Sequence, residues 1–339
     1  MEAAFAAIGR LWPGGEATVV ELGGGITNRN YKVSVGDEVF VLRMGGAKTS
    51  LLGIDRAVEH AAGKRAFEVG VGPEVVRFEP EEGWLVARFI EGGPIPPHEM
   101  RRPATLARVA AALRAFHDSV PPIPGRFDAW AVVDGYRATA EAHGVKIPDE
   151  FADARELAER IRAALGPQPL VPCHNDLLNA NFLDDPAPPP PAAAPPHEWG
   201  GVPPAASPPA PHEWGGVAPP PAAAVPHARG GIRIVDWEYA GMGDRFFDLA
   251  NFSVNHEFDM EEDRRFLHAY FGEERERDLV SLRLMRYMSD FREAMWGVLQ
   301  SGISDLDFDF TGYALKHFAR MEGTASEPRF SSFLSSPSG

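Results

Sequence analysis

Between two short apolar runs, Val171-Pro-Cys-His-Asn-Asp-Leu-Leu-Asn-Ala-Asn-Phe-Leu183 sets His174, Asp176 and Asn181 in the pattern H-x-D-x-x-x-x-N. An Asp at that place can take the proton of a substrate hydroxyl, and the amide of Asn181 sits far enough along the loop to reach a metal instead. A second acid follows, because Gly231-Ile-Arg-Ile-Val-Asp-Trp-Glu-Tyr239 is a β-branched run leading straight into Asp236, with Glu238 close behind. Oxygen ligands at neighbouring strand ends suit Mg²⁺, which keeps several waters and binds through one or two carboxylates and the phosphates of a substrate. Alone, an HxD is often a satisfied loop histidine, and an Asp at a strand end is usually a turn former. In this order the two describe metal-assisted phosphoryl transfer to an alcohol.

A third piece lies near the N-terminus, in Glu21-Leu-Gly-Gly-Gly-Ile-Thr-Asn-Arg-Asn-Tyr-Lys-Val33. Gly23, Gly24 and Gly25 carry no Cβ, so backbone N–H groups there can approach phosphate oxygens, with Thr27 and Asn28 as added donors. A Gly triplet is more often only a hairpin turn. Followed by Tyr31-Lys-Val, and one strand ahead of Val41-Leu-Arg43, it reads as a phosphate cradle.

On these pieces the chain resembles the choline/ethanolamine kinase and aminoglycoside phosphotransferase families, which share the protein-kinase-like fold. The Gly-rich segment is similar to the G-G-x-[ST]-N-x-x-Y-x-V loop of the choline kinase branch. Asp236-Trp-Glu-Tyr with Phe247-Asp-Leu-Ala-Asn251 resembles that branch's second signature. The resemblance implies an α+β, bilobal, protein-kinase-like fold that uses ATP and Mg²⁺. Arg43 then stands where protein kinases place a lysine, and its guanidinium can grip two phosphate oxygens at once. Glu59 resembles the acid that pairs with this cation, and Phe89-Ile-Glu91-Gly92 resembles the adenine-binding hinge. Asp176 is the expected base and His174 the scaffold of its loop. Asn181 and Asp236 are expected to hold Mg²⁺, and Glu238 to hold it or to orient the loop. Trp-Glu in place of Phe-Gly after Asp236 points away from protein substrates.

The acceptor is expected to be a small cationic alcohol. A quaternary ammonium offers no hydrogen bond and is held by ring faces and charge. The candidates are Tyr239, Trp296, Glu293 and Glu257, and Met295-Trp-Gly-Val-Leu-Gln300 resembles the W-x-x-x-Q segment of choline kinases. Two departures stand against choline: Glu293 occupies the place of a first cage tryptophan, and Asn255 stands near an expected acid with Glu257 displaced from it. Asn-Asp-Leu-Leu in the catalytic loop looks closer to ethanolamine kinases, and a primary ammonium prefers carboxylates to rings, so ethanolamine or another amino alcohol stays open. So do an aminoglycoside-type or other small-metabolite phosphotransferase and a catalytically silent kinase-like binding protein.

These residues need elements to hold them. Residues 1–91 are expected to form a nucleotide-binding lobe of small antiparallel sheet and one main helix, with strands at Val39–Met44 and Gly83–Ile90 and a helix from Ile54 to Val69. Residues 92–339 are expected to be mostly helical. Leu106, Val109, Ala110, Leu113 and Phe116 share one helix face, and Asp278 to Ser301 carries an apolar stripe. His117 reads as packed or capping. Within this lobe, 186–230 is rich in Pro and Ala and repeats Pro-His-Glu-Trp-Gly-Gly-Val from Pro196 and Pro211, with a degenerate copy from Pro226. Without apolar periodicity this is expected to be a disordered or polyproline loop, a tandemly duplicated hairpin turn whose partner is unknown.

Composition sets the outer limits. At 44% hydrophobic and 24% charged, 339 residues suffice for a substantial core in two lobes. A net charge of −15 argues against nucleic acid as partner. No window reaches the apolar length of a membrane span, and Met-Glu-Ala-Ala-Phe lacks a basic signal region, so a cytoplasmic protein is expected. The single cysteine, Cys173, fits a reducing compartment and a small buried role rather than a nucleophile.

Overall fold

A computed structural model describes residues 2–23, 28–46, 48–119, 121–185 and 231–335. The N-terminal part is a five-stranded antiparallel sheet in the order β1-β2-β3-β5-β4. Its strands are β1 (Ala17–Leu22), β2 (Asn28–Val35), β3 (Glu38–Gly45), β4 (Val75–Glu79) and β5 (Trp84–Arg88). Alternation builds one face of it: Tyr31 and Val33 on β2 lie opposite Leu42 and Phe40 on β3, and all four are buried. A helix not anticipated from the sequence, α1 (Glu2–Leu11), covers that face with Ala4, Ala7, Ile8 and Leu11, spaced as one helical stripe. The expected helix is α2 (Arg56–Glu68), started by Asp55, whose Oδ1 accepts from the Ala57 amide at 2.8 Å. Its inner face is Glu59, Ala62, Gly63 and Ala66, so an acid sits at the sheet-facing side of the first turn.

After β5 the chain crosses to the second part through Phe89 to Gly92, where the Phe89 amide donates to the Val39 carbonyl at 3.0 Å. A Cβ on Gly92 would lie 1.6 Å from the Asp184 carbonyl oxygen, so only glycine allows this crossing so close to the hairpin that contains Asp184. Strand β6 (Gly93–Pro94) pairs with that hairpin, and two helices follow, α3 (Pro97–Met100) and α4 (Pro103–His117). The face of α4 predicted from the sequence is buried as expected. Next come α5 (Ala129–Ala142), α6 (Phe151–Leu165) and β7 (Leu170–Cys173), then β8 (Phe182–Asp185), β9 (Gly231–Ile234) and β10 (Gly241–Asp244). Strands β8 and β9 pair antiparallel with Asp185 opposite Gly231, and β10 pairs with β7. The repeat insert expected at 186–230 lies outside the described residues, and its two flanks are hydrogen-bonded neighbours.

The chain ends in α7 (Arg245–Asn255), α8 (Met260–Phe271), α9 (Glu276–Ile303), α10 (Phe310–Ala325) and α11 (Phe330–Ser335). The sequence predicts one apolar stripe on α9; in the structure every residue from Asp278 to Gln300 is buried. The reason is its place at the axis of the helical part, with α5, α6, α7, α8, α10 and α11 packed around it. A helix buried on all sides must pair whatever charge it carries, and α9 carries Arg283, Arg286, Asp290, Arg292 and Glu293 inside.

Candidate active site

The loop after β7 is built on one carboxylate. Asp248, fully buried in the first turn of α7, accepts the His174 amide at 2.7 Å and the Asn175 amide at 2.6 Å, and meets His117 Nε2 at 3.0 Å. Between those two amides the chain turns sharply, with Asn175 at φ 66, a left-handed conformation that Asn tolerates better than most residues. His174 is wholly buried, and its Nε2 donates to the Val235 carbonyl at 2.9 Å while Nδ1 accepts the Asp176 amide at 3.2 Å. Those partners require the neutral tautomer with hydrogen on Nε2. Burial lowers the His174 pKa, which agrees. The ring therefore ties the loop to the strand that carries Asp236. Asn251 Oδ1 accepts the Leu177 amide at 2.5 Å, and Asn181 Nδ2 donates to the Asp176 carbonyl at 2.8 Å. Asn181 Oδ1 is thereby left for the cleft that this residue lines.

His117, Cys173 and Asp248 bring three metal-ligating atoms within 4.8 Å of one another. Both ring nitrogens of His117 are already engaged, with Asp248 and with the Tyr270 hydroxyl at 2.7 Å, so this group is the packed scaffold anticipated for His117. Cys173 is buried and burial pushes its thiol up, away from a nucleophile's range.

Opposite the loop, Asp236 also has a left-handed backbone, φ 68, just after β9. Two bonds fix the approach: the Ile234 amide to the Val71 carbonyl at 2.7 Å and the Val235 amide to the Asn181 carbonyl at 3.0 Å. Arg43 on β3 reaches across and touches three acids, with Nη1 at 2.7 Å from Glu59 and Nη2 at 2.5 Å from Asp236 and 3.0 Å from Glu238. Burial works against the charge on Arg43, and the carboxylates of Asp236, Glu59 and Glu238 together outweigh it, so its pKa is raised. A second cation that the sequence reading missed, Arg56, binds Glu59 at 2.6 Å and donates to Asn28 Oδ1 at 2.9 Å. Asn28 in turn donates to Glu238 at 2.8 Å, so this expected phosphate donor is buried within the ion cluster. Asp236 is pushed up by burial, with Arg43 opposing and Glu238 adding. Such a carboxyl gains most from a cation beside it.

Gly23, Arg43, Glu59, Phe89, Asn181 and Asp236 line one cleft of about 390 Å³ between the sheet and the β8–β9 hairpin. Its walls include Val41, Val75, Leu85, Ala87 and Leu183, and Phe89, Ile90 and Gly92 form an edge. An apolar slot of this size with polar groups at one end is the form of a small-ligand site. The Glu91 side chain is exposed and does not line it. Gly24, Gly25 and Thr27 lie outside the described residues.

Beyond Asp176 the expected acceptor residues divide. Tyr239, Trp296 and Glu293 come together: Trp296 Nε1 donates to the Tyr239 hydroxyl at 3.1 Å, and all three are buried. Glu257 does not join them. It sits exposed past the end of α7, and Arg101 Nη2 donates to its carbonyl at 2.9 Å on the side of α8. In their midst is Arg292, another residue the sequence reading missed, 1% exposed, with Nη2 donating to the Asn175 carbonyl at 2.6 Å. The same nitrogen lies 3.3 Å from Asp176 Oδ1 and 2.9 Å from Glu293 Oε1. The Tyr313 hydroxyl donates to the other Glu293 oxygen at 2.7 Å. Burial pushes the Asp176 carboxyl well above the usual range, with Arg292 opposing and Glu293, Asp236 and Glu238 adding. The signal for Arg292 was present in the sequence as a charged pair, Arg292-Glu293, inside an apolar helix.

Two facing acids with an amide between them, a paired cation behind and a slot beside them define a phosphotransferase of kinase-like fold. The chain matches the choline/ethanolamine kinase family over residues 19–322 and belongs to it. It is a phosphotransferase with an alcohol group as acceptor. Ethanolamine kinase 1 of Mus musculus is 24% identical over 91% of this chain and 84% of that relative. A choline/ethanolamine kinase family protein from Mesorhizobium loti superposes with a TM-score of 0.74 at 30% identity, covering 98% of this chain and 97% of the other. A choline kinase from Streptococcus pneumoniae, also solved with AMP, gives 0.70 at 20% identity over 96% of this chain and 98% of its own.

Proposed function

We propose that this enzyme is an ATP- and Mg²⁺-dependent kinase that transfers the γ-phosphoryl group to the hydroxyl of a small amino alcohol, choline- or ethanolamine-like. The reading divides the chain at residue 91 into a nucleotide-binding lobe and a catalytic lobe, and the buried lone cysteine agrees with a reducing, cytoplasmic setting. The observation that carries it is the pair Asn181 and Asp236 lining the apolar cleft, with Asn181 bonded to the Asp176 backbone carbonyl and Arg43 already on Asp236.

In this reading Asp176 accepts the hydroxyl proton as the acceptor oxygen attacks, a task that needs the carboxyl ionised in a buried site. Arg43, held by Glu59, neutralises phosphate charge, and Gly23 lets backbone approach the phosphates. Asp236 and Asn181 Oδ1 form a hard oxygen pair that would fit Mg²⁺, and the raised Asp236 carboxyl is one that a cation would settle. When bound, the ion supplies charge neutralisation on the transferring group. Backbone of Phe89 to Gly92 holds the base, as apolar walls there suit a flat ring.

The test is ADP release by the purified protein with ATP and Mg²⁺ across choline, ethanolamine and an aminoglycoside panel, with Asp176→Asn as control. Stimulation by an amino alcohol that vanishes in the variant supports the reading. Stimulation by aminoglycosides alone moves the enzyme to that branch, and silence with every acceptor overturns it.

A further inference from the structure

Arg56 opens α2, where its charge opposes the helix dipole, so its place there calls for partners. Its Nη1 lies 2.6 Å from Glu59 and 3.4 Å from Glu238, and its Nη2 donates to Asn28 Oδ1 at 2.9 Å. The guanidinium lies against β3 at Gly45, where an added Cβ would stand 2.8 Å from Nη2. Gly45 is the register partner of Asn28, so the charged group packs over the end of the β2–β3 ladder. Gly45 has a strand's backbone, and its missing side chain serves this close approach.

The arrangement divides the buried acids between two cations. Glu59 gives Oε1 to Arg43 and Oε2 to Arg56, and Glu238 Oε2 faces Arg43, Arg56 and Asn28 Nδ2 together. Without Arg56, Arg43 would face Glu59, Asp236 and Glu238 by itself, held to carboxylates at the expense of phosphate. Asn28 is fixed from both sides. An arginine only donates and an ionised carboxylate only accepts, so one orientation of the Asn28 amide serves both. From Asn28 the strand runs to Asn30, which lines the cleft with Gly23 and Arg43, whereas neither Arg56 nor Glu238 lines it.

Resting on the kinase reading above, we infer that Arg56 is a positioning residue for the nucleotide phosphates. It takes one oxygen of Glu59 and shares Glu238, which leaves Arg43 charge for a phosphate, and it locks Asn28 so that the start of β2 keeps its place beside the cleft. Its effect therefore follows the phosphates of the ligand and not the adenine or the acceptor.

The experiment measures binding of ADP and of adenosine at fixed Mg²⁺ to the wild-type chain, Arg56→Met, Arg56→Lys, Gly45→Ala, Asn28→Ala and the double variant Arg56→Met with Asn28→Ala. Turnover of ATP with ethanolamine and with choline is followed beside it, with Asp176→Asn as control. Arg56→Met weakens ADP binding by about thirtyfold and leaves adenosine within about twofold, and Arg56→Lys, a point charge without the fork, recovers part of the loss. Gly45→Ala pushes the guanidinium off its seat with every charge kept, and weakens ADP binding by about fivefold. The double variant binds ADP within about threefold of the weaker single variant, because Arg56 and Asn28 act as one unit. In turnover the KM for ATP rises by similar factors while the KM for the acceptor stays within about twofold. Equal losses for ADP and adenosine, the result of a purely structural role, overturn the inference, and so do fully additive losses in the double variant. If Arg56→Met does not fold, Gly45→Ala and Asn28→Ala carry the test, and unchanged ADP affinity in both overturns it. Wild-type turnover that Asp176→Asn abolishes, with ADP affinity unmoved by the Arg56 variants, leaves the kinase reading standing and ends this inference alone. Absence of turnover with every acceptor ends the kinase reading, and the comparison of ADP with adenosine still decides the role of Arg56.

Discussion

Asp176 and Asp248 are both buried carboxylates of the same loop region, yet their burial has opposite consequences. Asp248 receives two backbone amides and a histidine, which hold its carboxyl below the usual range against the effect of burial. Asp176 has only the shared Arg292 nitrogen and three neighbouring acids, so burial dominates and its proton affinity rises. The first stays ionised and holds the loop, and the second has the raised proton affinity that the proposed role as base uses. Asp176→Asn should leave fold and nucleotide binding intact and lower kcat by roughly a hundred- to ten-thousandfold, checked by turnover beside nucleotide titration. Unchanged turnover would sink the assigned mechanism. Asp248→Ala should do the reverse in kind, stripping acceptors from buried donors and costing about 3 kcal/mol or more of stability in chemical denaturation. Of these residues, those written in short local patterns were legible: His174, Asp176 and Asn181 in one, Asp236 in a second and the Arg43 strand in a third. Asp248 appeared in the sequence only as part of a signature, because its role is to meet a loop distant along the chain. Arg56 and Arg292 were missed because a charge on a helix reads as solvated face until the fold shows the helix to be enclosed.

At the scale of elements, helix ends do the positioning. Strand β9 delivers Asp236, the start of α7 delivers Asp248, and its C-terminal turn packs His256 among Phe252, Phe182 and Phe258, with Phe252 at a centroid distance of 4.1 Å. His256 Nδ1 bonds the Phe252 carbonyl at 2.7 Å, and the other ring nitrogen is buried without a partner among the described residues. Burial, opposed by that carbonyl and aided by Arg101, pushes its pKa down to about 4 from 6.5. Between those values the unfolded chain binds a proton that the folded chain refuses, so stability falls as pH drops through the window. At this one site the loss reaches about 3 kcal/mol. His256→Phe, which keeps the ring cluster, should show a shallower loss of urea midpoint between pH 7 and pH 4.5 than the wild type; parallel slopes would show that His256 charges freely in the fold. The expected strands at Val39–Met44 and Gly83–Ile90 were legible from β-type residue runs, and the helix after Ile54 from its helix formers and the stop at Gly70-Val-Gly-Pro73. Helix α1 was not, since a short Ala-rich amphipathic stretch gains its stability from the sheet it covers. The stripe predicted on α9 described only part of a helix with no exposed side in its middle.

For the molecule as a whole, two parts share one cleft, and ion pairs join them beside an apolar core that Leu52, Ile54, Ala62, Ala66 and Val71 share with the helical part. Arg43 from the sheet holds Asp236 and Glu238 of the helical part, while Lys48 Nζ donates to the Ile303 carbonyl at 2.7 Å and meets Asp305 at 3.0 Å at the end of α9. The bilobal organisation was legible because composition changes from alternating to helical periodicity near the Gly-Gly-Pro run at Gly92, Gly93 and Pro94. The repeat segment interrupts the second part between the two acids of the site, yet its flanks are already joined: β8 and β9 pair up to Asp185 and Gly231. Arg233 Nε adds a bond to Asp185 at 2.9 Å, and another of its nitrogens donates to the Gly70 carbonyl beside α2. That end of the hairpin is therefore secured by residues outside the insert. Replacing 186–230 by a two-residue Asn-Gly turn should preserve kcat and KM within about twofold and raise stability by up to about 2 kcal/mol, because a long closure becomes a short one. Thermal unfolding and turnover of the shortened chain test this together. Loss of turnover with the fold intact would give the insert a part in the reaction, and loss of the fold would show that hairpin pairing alone does not hold Asp236 in register with Asp176.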